Sequence, residues 1–247
     1  MIGPQKLPVR LAKPPLLETI FEIRFEPVKE AVADLLPGML YQALGASYPD
    51  SASLPVANVP REIRNADPSL RYVAAHRLVR SDGHIFVGDR VVGVGKTAPY
   101  QGWDDFRKRI DDLVYALKKT PFIARVERFS IKSLNLLEVP QGAQLSHLNL
   151  NVTVAGTAVS EMGFTLRTEF VQDPDITILQ IATNATHTQG AVSKSGVLVD
   201  IDTIKLIKES DFWDAIERQI DQVHIRAKQM FFSLLTPETI DSLGPDY

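Results

Sequence analysis

The stretch of this sequence that most resembles a chemical motif is Gly93-Val94-Gly95-Lys96-Thr97, which ends like a phosphate-binding loop. Such a loop needs a glycine-rich turn whose amides cradle a phosphate, followed by Lys and Thr at the start of a helix. The spacing does not fit, because Arg90 stands where the first glycine belongs and residues 98–102 separate Thr97 from the next helix signal. We therefore interpret the stretch as a strand end followed by a turn, and we predict no nucleotide hydrolysis at it.

Histidine and cysteine, the residues most often used for metals and nucleophilic catalysis, form no catalytic or metal-binding pattern in this chain. No two of the five histidines have the spacing of a helical metal site, although His76 and His84 flank a predicted hairpin turn and could meet across it. The chain has no cysteine, which excludes disulfides, thiolate metal sites and cysteine nucleophiles. The serines of Ser193-Lys-Ser-Gly196 lack the setting of a nucleophile elbow. We predict no catalytic set, no metal and no cofactor.

Charged and amide side chains on predicted strands are the best candidates for binding a ligand. Asp200 and Asp202 would share one strand face and could hold a divalent cation, but no third carboxylate stands at a suitable distance. An inward-facing charge on a strand is expensive unless it is paired or used. The candidate ligand-binding residues are Arg24, Arg128, Asn135, Asp200 and Asp202.

Composition limits the classes of partner. The chain has 247 residues, a net charge of −3 and a pI near 6.0, so bulk charge does not favour nucleic acid. The basic residues Arg107-Lys108-Arg109 leave a local phosphate-contacting patch as a minor alternative. No apolar run approaches the roughly 20 residues of a membrane span, and the N-terminus lacks the apolar core of a signal peptide. These observations predict a cytoplasmic protein without a membrane segment.

Extended segments alternate with amphipathic helices along the chain. The predicted strands are residues 18–25, 72–79, 85–94, 125–139, 148–154, 163–171, 176–182 and 197–201. The predicted helices are residues 28–44, which Pro37-Gly38 should kink or divide, residues 103–119, and about 211–235 with Ser210 as the N-cap. Residues 45–70 read as a long loop or excursion.

This order predicts an α+β fold with mainly antiparallel sheets and about three main helices. The succession strand, strand, helix occurs at 72–119 and again at 163–235, which suggests two similar β-β-α halves. We expect a single compact unit of residues 1–247, with halves at 16–140 and 145–247. Residues 1–15 contain four prolines and should form an extended arm.

The last predicted helix carries an apolar stripe with heptad spacing. Its members are Ile216, Ile220, Val223, Ala227, Met230 and Leu234. Two interpretations stay open. Most amphipathic helices pack on their own protein, and this one can cover its own sheet. Alternatively, the stripe is a dimer seam, and these six residues are then the predicted interface.

Several local patterns together resemble an uncharacterised, sporadically distributed prokaryotic family of about 250 residues. The matching stretches are Pro14-Pro15-Leu-Leu-Glu18 with Phe21-Glu-Ile-Arg-Phe25, Tyr100-Gln-Gly-Trp103 with Phe106, Arg128-Phe-Ser-Ile-Lys-Ser-Leu-Asn135, and His224 through Thr236. The family pattern tends to end its third stretch with Arg-Tyr-Ile-Asn, whereas this chain has Lys132-Ser-Leu-Asn135. The resemblance implies a size, an order of elements and a scattered occurrence typical of mobile accessory genes, and it transfers no catalytic residues.

The first functional hypothesis is a non-enzymatic interaction or regulatory protein, an accessory of a mobile defence or toxin–antitoxin type of system, acting as a homodimer or with a protein partner. It is based on the heptad stripe, the proline-rich arm and the lack of a catalytic set. The alternative is a small-ligand-binding protein or enzyme with a site between sheet and helices. A third hypothesis is contact with nucleic acid through the face of Arg107 and Arg109.

Overall fold

The structure is a computed structural model that describes residues 6–28, 30–140, 142, 144–159, 163–208 and 212–247. The described residues form an α+β fold with a large antiparallel sheet and five α-helices, three of them long. The predicted fold class is confirmed.

Strands and helices follow one another in an order close to the predicted one. The described strands are β1 (Arg10–Leu11), β2 (Leu16–Pro27), β3 (Asp50–Ser53), β4 (Ala74–Arg80), β5 (Gly83–Gly88), β6 (Val91–Thr97), β7 (Ile123–Leu137), β8 (Thr153–Val154), β9 (Thr157–Ala158), β10 (Thr165–Gln172), β11 (Asp175–Gln189), β12 (Val192–Leu206) and β13 (Pro245–Asp246). The described α-helices are α1 (Val32–Leu44), α2 (Arg61–Ala66), α3 (Trp103–Lys118), α4 (Phe212–Leu234) and α5 (Pro237–Ser242), with 3-10 turns at Pro55–Asn58 and Gln144–His147.

The chain divides into two compact units, each assembled from separate stretches. The first unit comprises Met1–Glu18, Lys132–Thr203 and Gln222–Tyr247, and the second comprises Thr19–Ile131 and Ile204–Asp221. Strands β2, β7 and β12 and helix α4 therefore contribute residues to both units. The single unit of residues 1–247 with similar halves at 16–140 and 145–247 stays a prediction.

In the second unit the strands follow the order β12-β7-β2-β6-β5-β4-β3. Strands β3 to β6 pair antiparallel. Phe21, Ile23 and Phe25 alternate along β2 and are fully buried, as their period of two predicts. The ring of Phe129 on β7 lies between Phe21 and Phe212, with centroid distances of 5.9 and 6.0 Å.

Helix α3 closes this core almost where the sequence places it. The predicted range 103–119 is one residue longer than the observed helix, Trp103–Lys118. Every member of its predicted stripe is at most 1% exposed: Phe106, Ile110, Leu113 and Leu117. Amphipathic spacing and the Thr120-Pro121 stop were sufficient to predict this helix.

In the first unit the strands follow the order β10-β11-β12-β7-β2, and β10 pairs antiparallel with β11. Two small ribbons, β1 with β13 and β8 with β9, accompany this sheet. Alternate residues of β12 are fully buried, namely Val197, Val199 and Ile201. They form one core with the second half of α4, including Phe231.

Three predicted elements of the second unit differ from those observed. Helix α1 begins at Val32 instead of residue 28 and continues through Pro37 without division. The predicted strand 85–94 is two strands, because the chain turns at Asp89-Arg90 between β5 and β6. Residues 45–70 contain β3, a 3-10 turn and α2 instead of a long loop.

One buried ion pair explains the last two differences. Arg64 on α2 is 6% exposed and donates from Nε to Asp89 Oδ2 at 2.7 Å. Its Nη1 donates to the Val59 carbonyl at 2.8 Å. A buried pair with this geometry fixes both the β5–β6 turn and the segment that carries Arg64, and neither partner is predictable from local sequence.

In the first unit, the predicted strand 148–154 is wrong except at Thr153–Val154. A 3-10 turn, Gln144–His147, comes before it, and Leu145 and Leu148 point into the core at the spacing of that turn. Asn149 then bonds to the end of α4, with its N–H donating to the Leu234 carbonyl at 2.7 Å. Strands β11 and β12 extend well beyond the predicted ranges 176–182 and 197–201.

The apolar stripe of α4 lies inside the chain. Ile216, Ile220 and Val223 are fully buried. Ala227 and Leu234 are 6% and 7% exposed, and the partly buried Met230 packs against the first unit's core. Five of the six side chains are thus buried within the chain, which agrees with the interpretation that the helix packs on its own protein. The dimer seam stays a prediction. The predicted N-cap, Ser210, lies outside the described residues.

Candidate functional site

The phosphate-loop-like sequence forms strand β6, and its glycines serve strand packing. Gly93 pairs with Phe86 and Gly95 pairs with His84 on the neighbouring strand β5. A Cβ at Gly95 would lie 2.7 Å from His84 Cε1, and one at Gly93 would lie 2.3 Å from Phe86 Cζ. The glycines thus leave room for the two rings across the strand pair. This geometry agrees with the prediction that the stretch is not a nucleotide site.

Lys96, the lysine of the same stretch, is bound by a carboxylate of the protein itself. Its side chain is fully buried, and Nζ donates to Asp82 Oδ2 at 2.8 Å. Asp82 stands in the turn between β4 and β5. Its carboxylate also accepts hydrogen bonds from both terminal nitrogens of Arg109, at 3.1 and 2.7 Å. The Arg109 and Lys96 hydrogen bonds outweigh burial and hold the Asp82 pKa far below its usual value. The cluster ties the hairpin to α3, and Lys96 Nζ is held by carboxylates of the chain itself.

Two predicted ligand-binding residues, Arg24 and Arg128, meet in the second unit. Arg24 Nε donates to Glu22 Oε1 at 2.6 Å, and Arg128 Nη2 donates to the same oxygen at 3.2 Å. Glu22 and Arg24 share one face of β2, because they are two residues apart on the strand, and Arg128 lies on β7, the next strand in the sheet. Glu22 is not among the predicted ligand-binding residues, although its alternation with Arg24 in the sequence is a signal that could have identified it.

The same face of the second unit carries further arginines around Tyr72. We call the set Arg24, Arg71, Arg90 and Arg128 the arginine layer. The guanidinium groups of Arg24 and Arg71 lie 4.4 and 5.3 Å from the Tyr72 ring centroid. Four guanidinium groups face the three carboxylates of Glu22, Glu26 and Glu127.

Some guanidinium nitrogens in the arginine layer have no hydrogen-bond acceptor. Contacts with the Glu127 carboxyl and the Arg90 guanidinium hold the pKa of Glu26 below its usual value. The Nε atoms of Arg71 and Arg128 are buried and have no hydrogen-bond partner among the described residues. An anionic group placed against the layer would therefore find donors and one uncompensated positive charge.

The other three predicted ligand-binding residues lie in the first unit. Asn135 is buried and donates from Nδ2 to the Val199 carbonyl at 3.3 Å. Asp200 accepts from Lys132 Nζ at 2.8 Å. Asp202 follows Asp200 on the same face of β12. Asn135 is therefore engaged in strand packing, and Asp200 has a cation for a partner. Within the described ranges, no three His, Asp or Glu side chains group as metal ligands.

A groove that the sequence did not indicate lies between α1 and the strands β3 and β4 of the second unit. Its volume is about 350 Å³, the lower end of the range for small-ligand pockets. Helix α1 contributes Pro37, Gly38 and Tyr41, and the strands contribute Ser51, Ser53 and His76 among others. A Cβ at Gly38 would meet nothing within 4 Å, so the groove is open at this turn of the helix.

The groove contains a serine and a histidine that are in contact across two neighbouring strands. Ser53 and His76 stand directly opposite each other in the β3–β4 register, with Oγ 3.4 Å from Nδ1. Among the described residues, no carboxylate bonds to His76 to orient it. In a nucleophile–base pair such a third group usually orients the base.

Strand β3 forms one wall of the groove and ends the strand order of the second unit. All four of its residues are exposed. The Leu54 N–H donates to the Ala75 carbonyl at 2.8 Å, which turns the even-numbered residues toward β4. Because the direction of backbone groups alternates along a strand, Ser51 and Ser53 present their N–H and C=O groups to the open edge. Within the described ranges, no strand pairs with that edge.

Comparisons with known proteins add no family to this geometry. No protein-family model matches the chain, and no curated protein matches it. The resemblance to the scattered prokaryotic family stays a prediction. None of the described helices is both long and apolar enough to cross a membrane.

Proposed function

We propose that this chain is a non-enzymatic interaction protein that captures an extended segment of a partner protein in the groove between α1 and β3. The segment adds to the sheet as a further strand beside β3, and one of its side chains enters the groove. The observation that carries the proposal is the open backbone edge at Ser51 and Ser53 directly beside a groove of about 350 Å³. Strand addition next to a helix is a recurring mode of peptide recognition.

The groove favours a partner side chain that is uncharged and of moderate size. Its walls present hydroxyl groups from Ser51 and Ser53, the His76 ring, and the apolar surface of Pro37. Tyr41 donates to the Pro49 carbonyl at 3.3 Å, so its ring is held at the rim. Main-chain hydrogen bonds to β3 would supply affinity, and the fit of this one side chain would supply selectivity.

Two variants separate the contributions of the edge and the groove. Ser53→Pro removes an N–H that faces the open edge and leaves the β3–β4 hydrogen bonds in place. Gly38→Phe fills the groove from α1, where an added Cβ meets no atom within 4 Å. Asp112→Leu is the matched control, since it adds an apolar side chain to an exposed position of another helix.

The experiment selects nine-residue peptides from a random phage-displayed library on the wild-type protein. Enriched peptides are then titrated calorimetrically against each variant. We expect a shared sequence pattern, a Kd raised at least about tenfold by Ser53→Pro and by Gly38→Phe, and no change with Asp112→Leu. A library that yields no enriched sequence, or peptides that bind all variants equally, would overturn the proposal.

A second candidate function is the binding of a small anion or carboxylate ligand at the arginine layer. The observation that favours it is the convergence of Arg24 and Arg128 on one oxygen of Glu22, with two guanidinium Nε atoms lacking acceptors. Titration with inorganic phosphate, followed by NMR of the arginine Nε–H groups, tests it. Binding should be lost in Arg128→Gln and kept in Arg125→Gln, an exposed position on the same strand. Equal shifts in both variants would count against it.

A further inference from the structure

Strand β10 of the first unit is the outer strand of its sheet and differs strongly from β3. Its eight residues pair with β11 from Thr165↔Ala182 to Gln172↔Asp175. In the described part of the chain, no strand pairs with its other edge. Phe170 and Val171 are 41% and 69% exposed there. A long edge with exposed apolar residues is a template for pairing with another strand.

The direction of the free backbone groups on β10 follows from one hydrogen bond. The Thr183 N–H donates to the Phe164 carbonyl at 3.1 Å, so the backbone of Phe164 faces β11. Alternation then turns even-numbered residues toward β11 and odd-numbered residues away from it. The residues with N–H and C=O groups at the open edge are Thr165, Arg167, Glu169 and Val171.

The sequence of β10 is complementary to itself when read in the opposite direction. In an antiparallel pair of two β10 strands with the two-fold axis at Thr168, Arg167 stands opposite Glu169 of the second copy, and the reverse holds by symmetry. Both residues present their backbone to the open edge, so each such pair would also be hydrogen-bonded. Cross-strand pairs of opposite charge stabilise a sheet.

The other face of the strand is complementary in the same register. Leu166 packs against the first unit's core, and Phe170 lies on the same face four residues later. The two-fold pairing sets Leu166 opposite Phe170 of the second copy. The exposed aromatic ring would thus extend an existing core across the pair instead of facing water.

Strand β3 of the second unit cannot pair with itself in this way. It has four residues, Asp-Ser-Ala-Ser, with one acidic and no basic side chain. In β10, Arg167 and Glu169 already form an ion pair within the chain, with 2.7 Å between Nη2 and Oε1. Pairing of two copies would assemble four alternating charges instead of two.

We propose that a second copy of this chain binds along β10, giving an antiparallel two-fold dimer centred on Thr168 in which Arg167 and Glu169 pair across the interface. This interface is separate from the groove beside β3 and does not depend on the function proposed for that groove.

Charge-reversal variants test the register. Arg167→Glu or Glu169→Arg alone places like charges opposite each other twice per dimer, and the double variant Arg167→Glu/Glu169→Arg restores opposite charges. Val171→Pro removes one outward N–H without touching the β11 ladder. Lys194→Glu is the control, because it reverses the charge of an exposed ion pair with Glu138 elsewhere in the same unit.

Sedimentation equilibrium between about 1 and 100 µM gives the dimer Kd for each variant, with circular dichroism to verify folding. We expect each single reversal and Val171→Pro to raise Kd at least about tenfold. The double reversal should return Kd to within about threefold of wild type, and Lys194→Glu should leave it unchanged. A wild-type protein that stays monomeric over this range, or a dimer whose Kd none of the β10 variants changes, overturns the proposal.

Discussion

The ring of His84 lies over the backbone of Gly95, its partner across the β5–β6 strand pair, where a Cβ would approach Cε1 to 2.7 Å. The relationship explains why a strand has glycines at 93 and 95. A stretch that looks like a phosphate loop in sequence provides space for two aromatic rings. It also partly buries the His84 ring, so that its effects on stability can be measured.

Gly95→Ala should destabilise the fold, because the added methyl group meets the imidazole ring in a packed sheet. We expect a loss of about 1–3 kcal/mol in the free energy of unfolding, measured by urea titration. In a His84→Ala background the same change should cost less than about 1 kcal/mol. Gly38→Ala is the control: its Cβ meets no atom within 4 Å, and alanine in a helix is favoured by up to about 1 kcal/mol. Equal costs at Gly95 in both backgrounds would contradict the packing explanation.

The burial of His84 should make stability depend on pH between about 4 and 6.5. Burial, and then the charge of Arg77, lower the His84 pKa from 6.5 to about 4. Within this window the unfolded state binds a proton that the folded state does not, so stability is complete above pH 6.5 and falls as pH falls toward 4. We expect a loss of about 2–3 kcal/mol over this range, following the conversion of about 1.4 kcal/mol per pH unit.

The measurement compares wild type with His84→Phe, which keeps a ring over Gly95 and removes the titrating group. Urea midpoints from pH 7.5 to 4.5 should fall for wild type and stay nearly level for the variant. Asp82, whose pKa is lowered, contributes with the same sign only as pH falls below its ordinary value of 3.8. A parallel decline in both proteins would assign the pH dependence to other groups.

Asp82→Ala should be among the most destabilising changes in the second unit. It removes the nearer of the two carboxylates, Asp82 and Asp105, that pair with both the fully buried Lys96 and the nearly buried Arg109. Removing one partner of a buried charge cluster typically costs about 3–5 kcal/mol. Asp111→Ala is the control: the Asp111 side chain, which pairs with Arg107, is 49% exposed, so we expect a cost under about 1 kcal/mol. Thermal unfolding followed by calorimetry measures the loss of stability in each variant. Similar losses in Asp82→Ala and Asp111→Ala would argue that the Asp82 cluster does not hold the hairpin to helix α3.

Ile220→Ala tests the internal position of the α4 stripe. Ile220 is fully buried, so truncation should lower the free energy of unfolding by about 2–5 kcal/mol. The self-association constant of the folded variant should equal that of wild type. Ile225, 48% exposed on the same helix, provides the control, where Ile225→Ala should cost under about 0.5 kcal/mol. If Ile220→Ala kept its stability but lost self-association, the result would support the interpretation of the α4 stripe as a dimer seam.

Local pattern alone determined a large part of this architecture. The alternation of Phe21, Ile23 and Phe25 gave β2 its buried face, and the spacing from Phe106 to Leu117 gave α3 both its range and its buried stripe. These predictions hold because side-chain direction repeats every 2 residues in a strand and every 3.6 in a helix, whatever covers the element. The wrong spacing around Lys96 likewise excluded a phosphate loop without a structure.

Tertiary structure decided which partner each patterned face meets. The heptad stripe on α4 indicates that an apolar surface must be covered. Only the fold shows that other parts of the same chain cover Ile220. The convergence of Arg24 and Arg128 on Glu22 depends on strand order, which joins residues about a hundred positions apart. The pairing of Arg64 with Asp89 holds α2 in a segment that has no periodic pattern. Long-range pairing of this kind leaves no local trace, since each residue's type is compatible with many partners and the fold selects one.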